Sequence, residues 1–136
     1  MRSIRVILDT NLWISFLISK KLEHIDNYIL EGRIKLIFSK ELIEEFLSVA
    51  KKPKFERYFT GERISELLSL FDRYGKLVEV TTNRDECRDK KDNFLLNLAI
   101  DGKMDYLVTG DDDLLVLGKI SKTKILSWAD FISELE

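Results

Sequence analysis

Residues 4–19 read IRVILDTNLWISFLIS, and the fold turns on how that stretch divides. Ile4, Val6, Ile7 and Leu8 make a short, nearly continuous apolar run, the pattern of a strand buried on both faces. Asp9 stands at the end of the run, and the residues from Leu12 onward have helical spacing. A strand passing directly into a helix predicts a β-α unit. The carboxylate at the junction has an ordinary explanation, because aspartate is a good helix N-cap. Whether that explanation is sufficient depends on the other acids of the chain.

The alternation continues beyond this unit. Leu12–Lys20 and Leu22–Leu30 read as helices, and GRIKLIFS (32–39) as a second strand. Ser39 is an N-cap for KELIEEFLSVAKK, where Leu42, Ile43, Phe46, Leu47 and Ala50 recur at helical spacing until Pro53 stops the helix. Thr60 introduces GERISELLSLFDRYG, whose Ile64, Leu67, Leu68 and Phe71 form an apolar stripe closed by Gly75. KLVEV (76–80) is a third strand, 81–91 a polar loop, and DNFLLNLAIDGK (92–103) a helix ending near Gly102. DYLVTG (105–110) and KTKIL (122–126) are a fourth and a fifth strand, and Ser127 with Asp130 makes a capping box for the last helix. Strands alternating with helices over 136 residues predict one domain, residues 1–136. Its expected class is α/β, a three-layer α/β/α sandwich with a central parallel sheet of four to five strands.

Composition narrows the chemistry by exclusion. Hydrophobic residues make up 45% and charged residues 34%, an ordinary balance for a folded domain. The formal net charge of -2 argues against attachment to nucleic acid by bulk positive charge. Two local basic stretches, KKPKFER (51–57) and RDECRDKK (84–91), read equally as a substrate track or as solvated surface. Phe55, Tyr58 and Phe59, interleaved with Lys54 and Arg57, either stack unpaired bases or seal the loop between two helices. Trp13 and Trp128 lie in apolar helical contexts and are expected in the core or a dimer contact. No apolar run is long enough to span a bilayer, and Asp9 and Asn11 interrupt the N-terminal one, so no secretory signal is expected. A single cysteine, Cys87, forms no internal disulfide and fits a reducing cytoplasm. With His24 as the sole histidine, HExxH sites and histidine clusters are excluded. Phosphate-cradling glycine motifs and the G-x-S-x-G elbow are also missing. Any catalysis falls to carboxylates.

The acids sit where a parallel sheet would use them. Ligands of open α/β sheets bind beyond the carboxyl ends of the strands, near a reversal of strand order. Asp9 ends the first strand, and Asp111, Asp112 and Asp113 follow the fourth; if those strands are neighbours, the acids meet at one edge. On the helix beginning near Asp92, Leu95, Leu96 and Ala99 fall within roughly 60° of that aspartate, which turns it inward. Asn93, Asn97 and Asp101 form a separate polar stripe. Asp92 also has a structural reading, as a charge stabilising its own helix N-terminus. Among Glu41, Glu44 and Glu45, helical phase alone makes no firm choice. Several inward carboxylates need a cation to stay ionised together, and an all-oxygen ligand set selects Mg²⁺ or Mn²⁺ over zinc.

Three segments resemble the PIN-domain ribonucleases, and the likeness covers essentially the whole chain. VILDTNLWIS (6–15) is similar to the family's first motif, an aspartate ending strand one with Thr and Asn after it. FSKELIEEFLSVAKKPKF (38–55) resembles the segment carrying the family's glutamate, which puts that role on Glu45. CRDKKDNFLLNLAIDGKMDYLVTGDDDLL (87–115) resembles the subgroup of toxin components of toxin–antitoxin pairs, with the third acid at Asp92 and the fourth at Asp111. The resemblance implies that Asp9, Glu45, Asp92 and Asp111 hold Mg²⁺ or Mn²⁺ and carry catalysis, with Asp113 as a further metal ligand. Thr10, Asn11 and Thr109 would steady the loop or a water, and Asp89 would orient or cap. Lys90 replaces the proline frequent in the subgroup. The resemblance further implies hydrolysis of single-stranded RNA, usually as a homodimer, regulated by a small antitoxin protein; the expectation of a cytoplasmic protein without a membrane comes from the composition.

Three rivals share parts of this pattern. Aspartyl phosphatases also place an acid after strand one, but as D-x-D, where this chain has Asp9-Thr10-Asn11. A phosphorelay receiver gathers acids around Mg²⁺, yet it wants an acid pair before the main aspartate, which IRVILDTN lacks. The third is a PIN fold that binds nucleic acid or a partner protein without catalysis; the full set of acids speaks against it.

Overall fold

The computed structural model describes residues 3–19, 28, 31–80 and 90–135. The first strand, β1 (Ile4–Leu8), leads into helix α1 (Thr10–Ser19). Next come β2 (Ile34–Phe38), α2 (Lys40–Ala50), a 3₁₀ turn over Pro53–Phe55 and α3 (Gly61–Tyr74). β3 (Gly75–Leu77), α4 (Lys90–Asp101), β4 (Tyr106–Val108) and the short α5 (Asp112–Leu115) follow. The chain closes with β5 (Lys119–Ile120), β6 (Thr123–Leu126) and α6 (Trp128–Leu135). The expected helix over Leu22–Leu30 lies, apart from Tyr28, outside the described residues, as does the loop over 81–89.

Among the described residues the strands form a six-stranded sheet in the order β3-β2-β1-β4-β6-β5. All neighbours are parallel except β5 and β6, which pair as a hairpin. The parallel core and the α/β/α layering match the expectation. The antiparallel edge strand does not, because two residues are too few to leave a periodic signal. Its hairpin turns through Ser121 at φ 53. Gly75 directly follows the last residue of α3, as expected, and it also opens β3 opposite Leu36. The helix ends there because the next residues are taken into the sheet.

β1 lies at the centre, and Val6, Ile7 and Leu8 are buried to 1% exposure or less. A two-sided burial of this kind explains why its sequence is apolar throughout rather than alternating. Ser39 accepts the Leu42 amide at 3.1 Å and caps α2 as predicted, while Ser127 accepts the Asp130 amide at 3.2 Å at the start of α6. Trp13 is buried against Phe38, with ring centroids 5.5 Å apart, which places it in the core. Phe59 packs edge-on against Phe46 and Phe55, so the aromatics after α2 seal the loop. Phe131 of α6 is fully buried between Tyr106 and Trp128. Truncating Phe131 to Ala should cost about 3–5 kcal/mol. Urea denaturation measures it, and a loss under about 1 kcal/mol would mean that α6 is not packed into the core as described.

Candidate active site

The order of strands sets the position of the site. From β1 the chain builds outward through β2 to β3, then returns to add β4 on the other flank of β1. Strand order therefore reverses between β1 and β4, the place where open α/β sheets bind ligands. Leu8 pairs with Val108, so the next residues, Asp9 and Thr109, leave the two strands side by side. The ladder carries on through them, with the Asp9 amide donating to Val108 O at 3.0 Å and the Thr109 amide to Leu126 O at 3.0 Å.

Asp9 does cap its helix. Its carbonyl accepts the amides of Leu12 and Trp13, and its Oδ1 accepts the Asn11 amide at 3.0 Å. Capping uses only one carboxylate oxygen. The other, Oδ2, accepts the Thr109 hydroxyl at 2.7 Å. Asp9 is 8% exposed and Thr109 fully buried, an unusual degree of enclosure for a simple surface cap. An ionised carboxylate offers about four acceptor positions, of which these two bonds occupy two.

Thr109 links Asp9 to the next acid. An ionised carboxylate cannot donate, so the single hydroxyl proton goes to Asp9, and a lone pair of the same oxygen accepts the Asp111 amide at 3.0 Å. Asp111 Oδ1 in turn accepts the Asp113 amide at 2.8 Å and caps α5. A second connection starts beside Asp9, where buried Thr10 donates its hydroxyl to Glu45 Oε2 at 3.2 Å as α1 packs against α2. Both threonine hydroxyls donate to acids and so orient carboxylates.

This geometry also separates the three glutamates. Glu41 and Glu44 are exposed, and Glu44 pairs with Lys40 across 4.0 Å at the surface. Only Glu45 turns toward the first turn of α1. Asp92 falls in the first turn of α4, although its side chain, like the whole of Asp89, lies outside the described part of the structure. Among the described residues no three acids are gathered closely enough to hold a metal ion. What the fold does assemble is Asp9, Thr109, Asp111 and Asp113 in one hydrogen-bonded line, with Thr10 and Glu45 beside it. Asn93 and Asn97 were grouped as a polar stripe without a stated role; both are buried and both have partners. Their i, i+4 spacing with uncharged amides among leucines was the available signal.

The sequence pattern of the PIN domain matches residues 5–113, from the first strand through the last of these acids. The chain belongs to the PIN domain family. An uncharacterized protein of Methanocaldococcus jannaschii is 31% identical over 144 aligned positions, covering 98% of this chain and 92% of the relative. PIN domains are generally nucleases, hydrolases of phosphodiester bonds, and typically use divalent metals. In this PIN domain, no described helix is long and apolar enough to cross a membrane.

Valine matches threonine in shape but lacks the hydroxyl, so Thr109→Val isolates the bond to Asp9. It leaves a buried carboxylate oxygen and the Asp111 amide without their partner, at a cost of about 1–3 kcal/mol. Thr109→Ser restores the donor and should recover most of that loss. Urea denaturation of the three proteins measures both effects, and a fully stable Thr109→Val protein would deny the hydroxyl its bridging role.

Proposed function

We propose that this chain is a Mg²⁺- or Mn²⁺-dependent endoribonuclease that hydrolyses single-stranded RNA. Its biological setting on this reading is the cytoplasm, as the toxin of a type II toxin–antitoxin pair. It acts there as a homodimer held in check by a small antitoxin protein. The observation that carries the catalytic part is the bond from Thr109 to Asp9 Oδ2 at the carboxyl edge of β1 and β4. Membership of a generally nucleolytic family supports it. The toxin setting draws its support from the resemblance of residues 87–115 to that subgroup.

The donor chemistry fits a hard cation. Asp9, Glu45, Asp111 and Asp113 offer carboxylate oxygens, and the side chains that link them are threonines, with neither histidine nor cysteine among them. Asp9, Glu45, Asp92 and Asp111 hold the ion, with Asp113 assisting directly or through water. The bound ion supplies activation of a water and neutralisation of the charge that develops in phosphodiester displacement.

The protein's own residues do the positioning. Asp9 is fixed at both oxygens, by the Asn11 amide and the Thr109 hydroxyl, while each oxygen keeps further acceptor capacity. Thr109 ties Asp111 to Asp9, and Thr10 aims Glu45 at the same strand end. Burial around Asp9 excludes bulk water from one side of the site and strengthens every charge interaction there.

Asparagine caps helices about as well as aspartate. Asp9→Asn therefore keeps the cap and removes the charge. Incubating mixed-sequence single-stranded RNA with Mg²⁺, Mn²⁺ or EDTA should give cleavage that needs the metal. Asp9→Asn and Asp92→Asn should abolish most of it while remaining folded. Thr109→Val should lose about 10–100-fold, as expected for a residue that orients a metal ligand. Near-full cleavage by Asp9→Asn would sink the assignment, and metal binding without any turnover would favour a non-catalytic PIN fold.

A further inference from the structure

The basic stretch after α2 has a definite relation to Glu45. The helical winding continues beyond Ala50, since the Lys51 amide donates to Leu47 O and the Lys52 amide to Val49 O, both at 3.1 Å. Lys51 keeps helical dihedrals at φ -81 and ψ -5. Lys52, where the chain leaves the helix at ψ 142, stands seven residues and about 10 Å beyond Glu45 along the axis. That interval corresponds to about three stacked nucleotides of a strand.

The segment is anchored to the core. Phe59 is buried against Phe46 and Phe55, and the Phe59 and Tyr58 amides both donate to Phe55 O. On this core-anchored turn Lys51, Lys52, Lys54 and Arg57 are all exposed, against the single acid Glu56. Lys54 Nζ lies 5.1 Å from the Phe55 ring centre, and the Arg57 guanidinium carbon 5.6 Å from that of Tyr58. None of the four cations makes an ion pair with a described residue. In a chain of net charge -2, such a concentration of cations on one turn, unpaired among the described residues, calls for an anionic partner.

We infer that Lys51, Lys52, Lys54 and Arg57 form a track that holds the phosphate backbone of single-stranded RNA as it leaves the Asp9–Glu45 edge along α2. The track rests on the ribonuclease reading for its substrate. It supplies what an acidic site lacks, since carboxylates repel the very backbone they must receive. Cations stacked on aromatic rings also keep their heads directed, so less ordering is needed when phosphates dock.

Binding of a fluorescent single-stranded RNA, followed by anisotropy in EDTA across a range of salt concentrations, tests the track without cleavage. Replacing Lys51, Lys52, Lys54 and Arg57 together by Gln should lower the slope of log affinity against log salt by about 0.7 per lost contact, close to three in all. A control carrying Lys35→Gln, Lys119→Gln and Lys122→Gln, at the opposite, amino-terminal edge of the sheet, should keep the wild-type slope. An unchanged slope in the fourfold variant overturns the track, even if its melting temperature falls, because the cations would then serve only the C-terminus of α2. An equal loss per charge in the control also overturns it, as does wild-type protein that binds no RNA. The ribonuclease reading fails separately: wild-type RNA that stays intact with Mg²⁺ or Mn²⁺ counts against cleavage, while the salt slope still reports the track.

Discussion

One hydrogen bond organises the candidate site: the Thr109 hydroxyl to Asp9 Oδ2, joining residues 100 positions apart. It exists because β1 and β4 run parallel in a register that pairs Leu8 with Val108. A slip of one residue would turn Thr109 to the opposite face of the sheet and break the link. In that register Val6, Ile7 and Leu8 of β1 and Leu107 and Val108 of β4 are all buried in the core. Packing of the core and placement of the acids are thus one constraint.

The competing demands on Asp9 show how such a site is built cheaply. A buried carboxylate needs donors, and two nearby groups supply them: the Asn11 amide, which α1 leaves without an intrahelical partner, and a threonine hydroxyl from the neighbouring strand. Helix capping is therefore part of the functional geometry rather than its rival. Asp111 repeats the device at α5, where it accepts the Asp113 amide while its own amide is held by Thr109. Local helix starts fix the direction of each acid, and the sheet fixes their spacing.

Much of this was legible in the sequence where a pattern is local. The apolar run of β1, the Ser39 cap and the leucine-rich face of α4 each carry their own period or end signal. The two-residue β5 carries none, and neither does the strand-opening role of Gly75, which depends on a partner in β2. At the site, Asp9 and Asp111 could be picked out as strand-end acids, but their connection could not. It required knowing that β4 lies beside β1. Glu45 was inseparable from Glu41 and Glu44 by helical phase, since the residue that distinguishes it, Thr10, belongs to another helix. The roles of the threonines were the least visible, because they follow from which oxygen owns the proton.

The most direct measurement is a titration of Mn²⁺ into the purified protein, followed by electron paramagnetic resonance, for wild type and for Asp9→Asn. Wild type should take up the ion, and Asp9→Asn, with its helix cap and fold intact, should lose that uptake. Equal Mn²⁺ uptake by the two proteins would mean that Asp9 is a helix cap and nothing more.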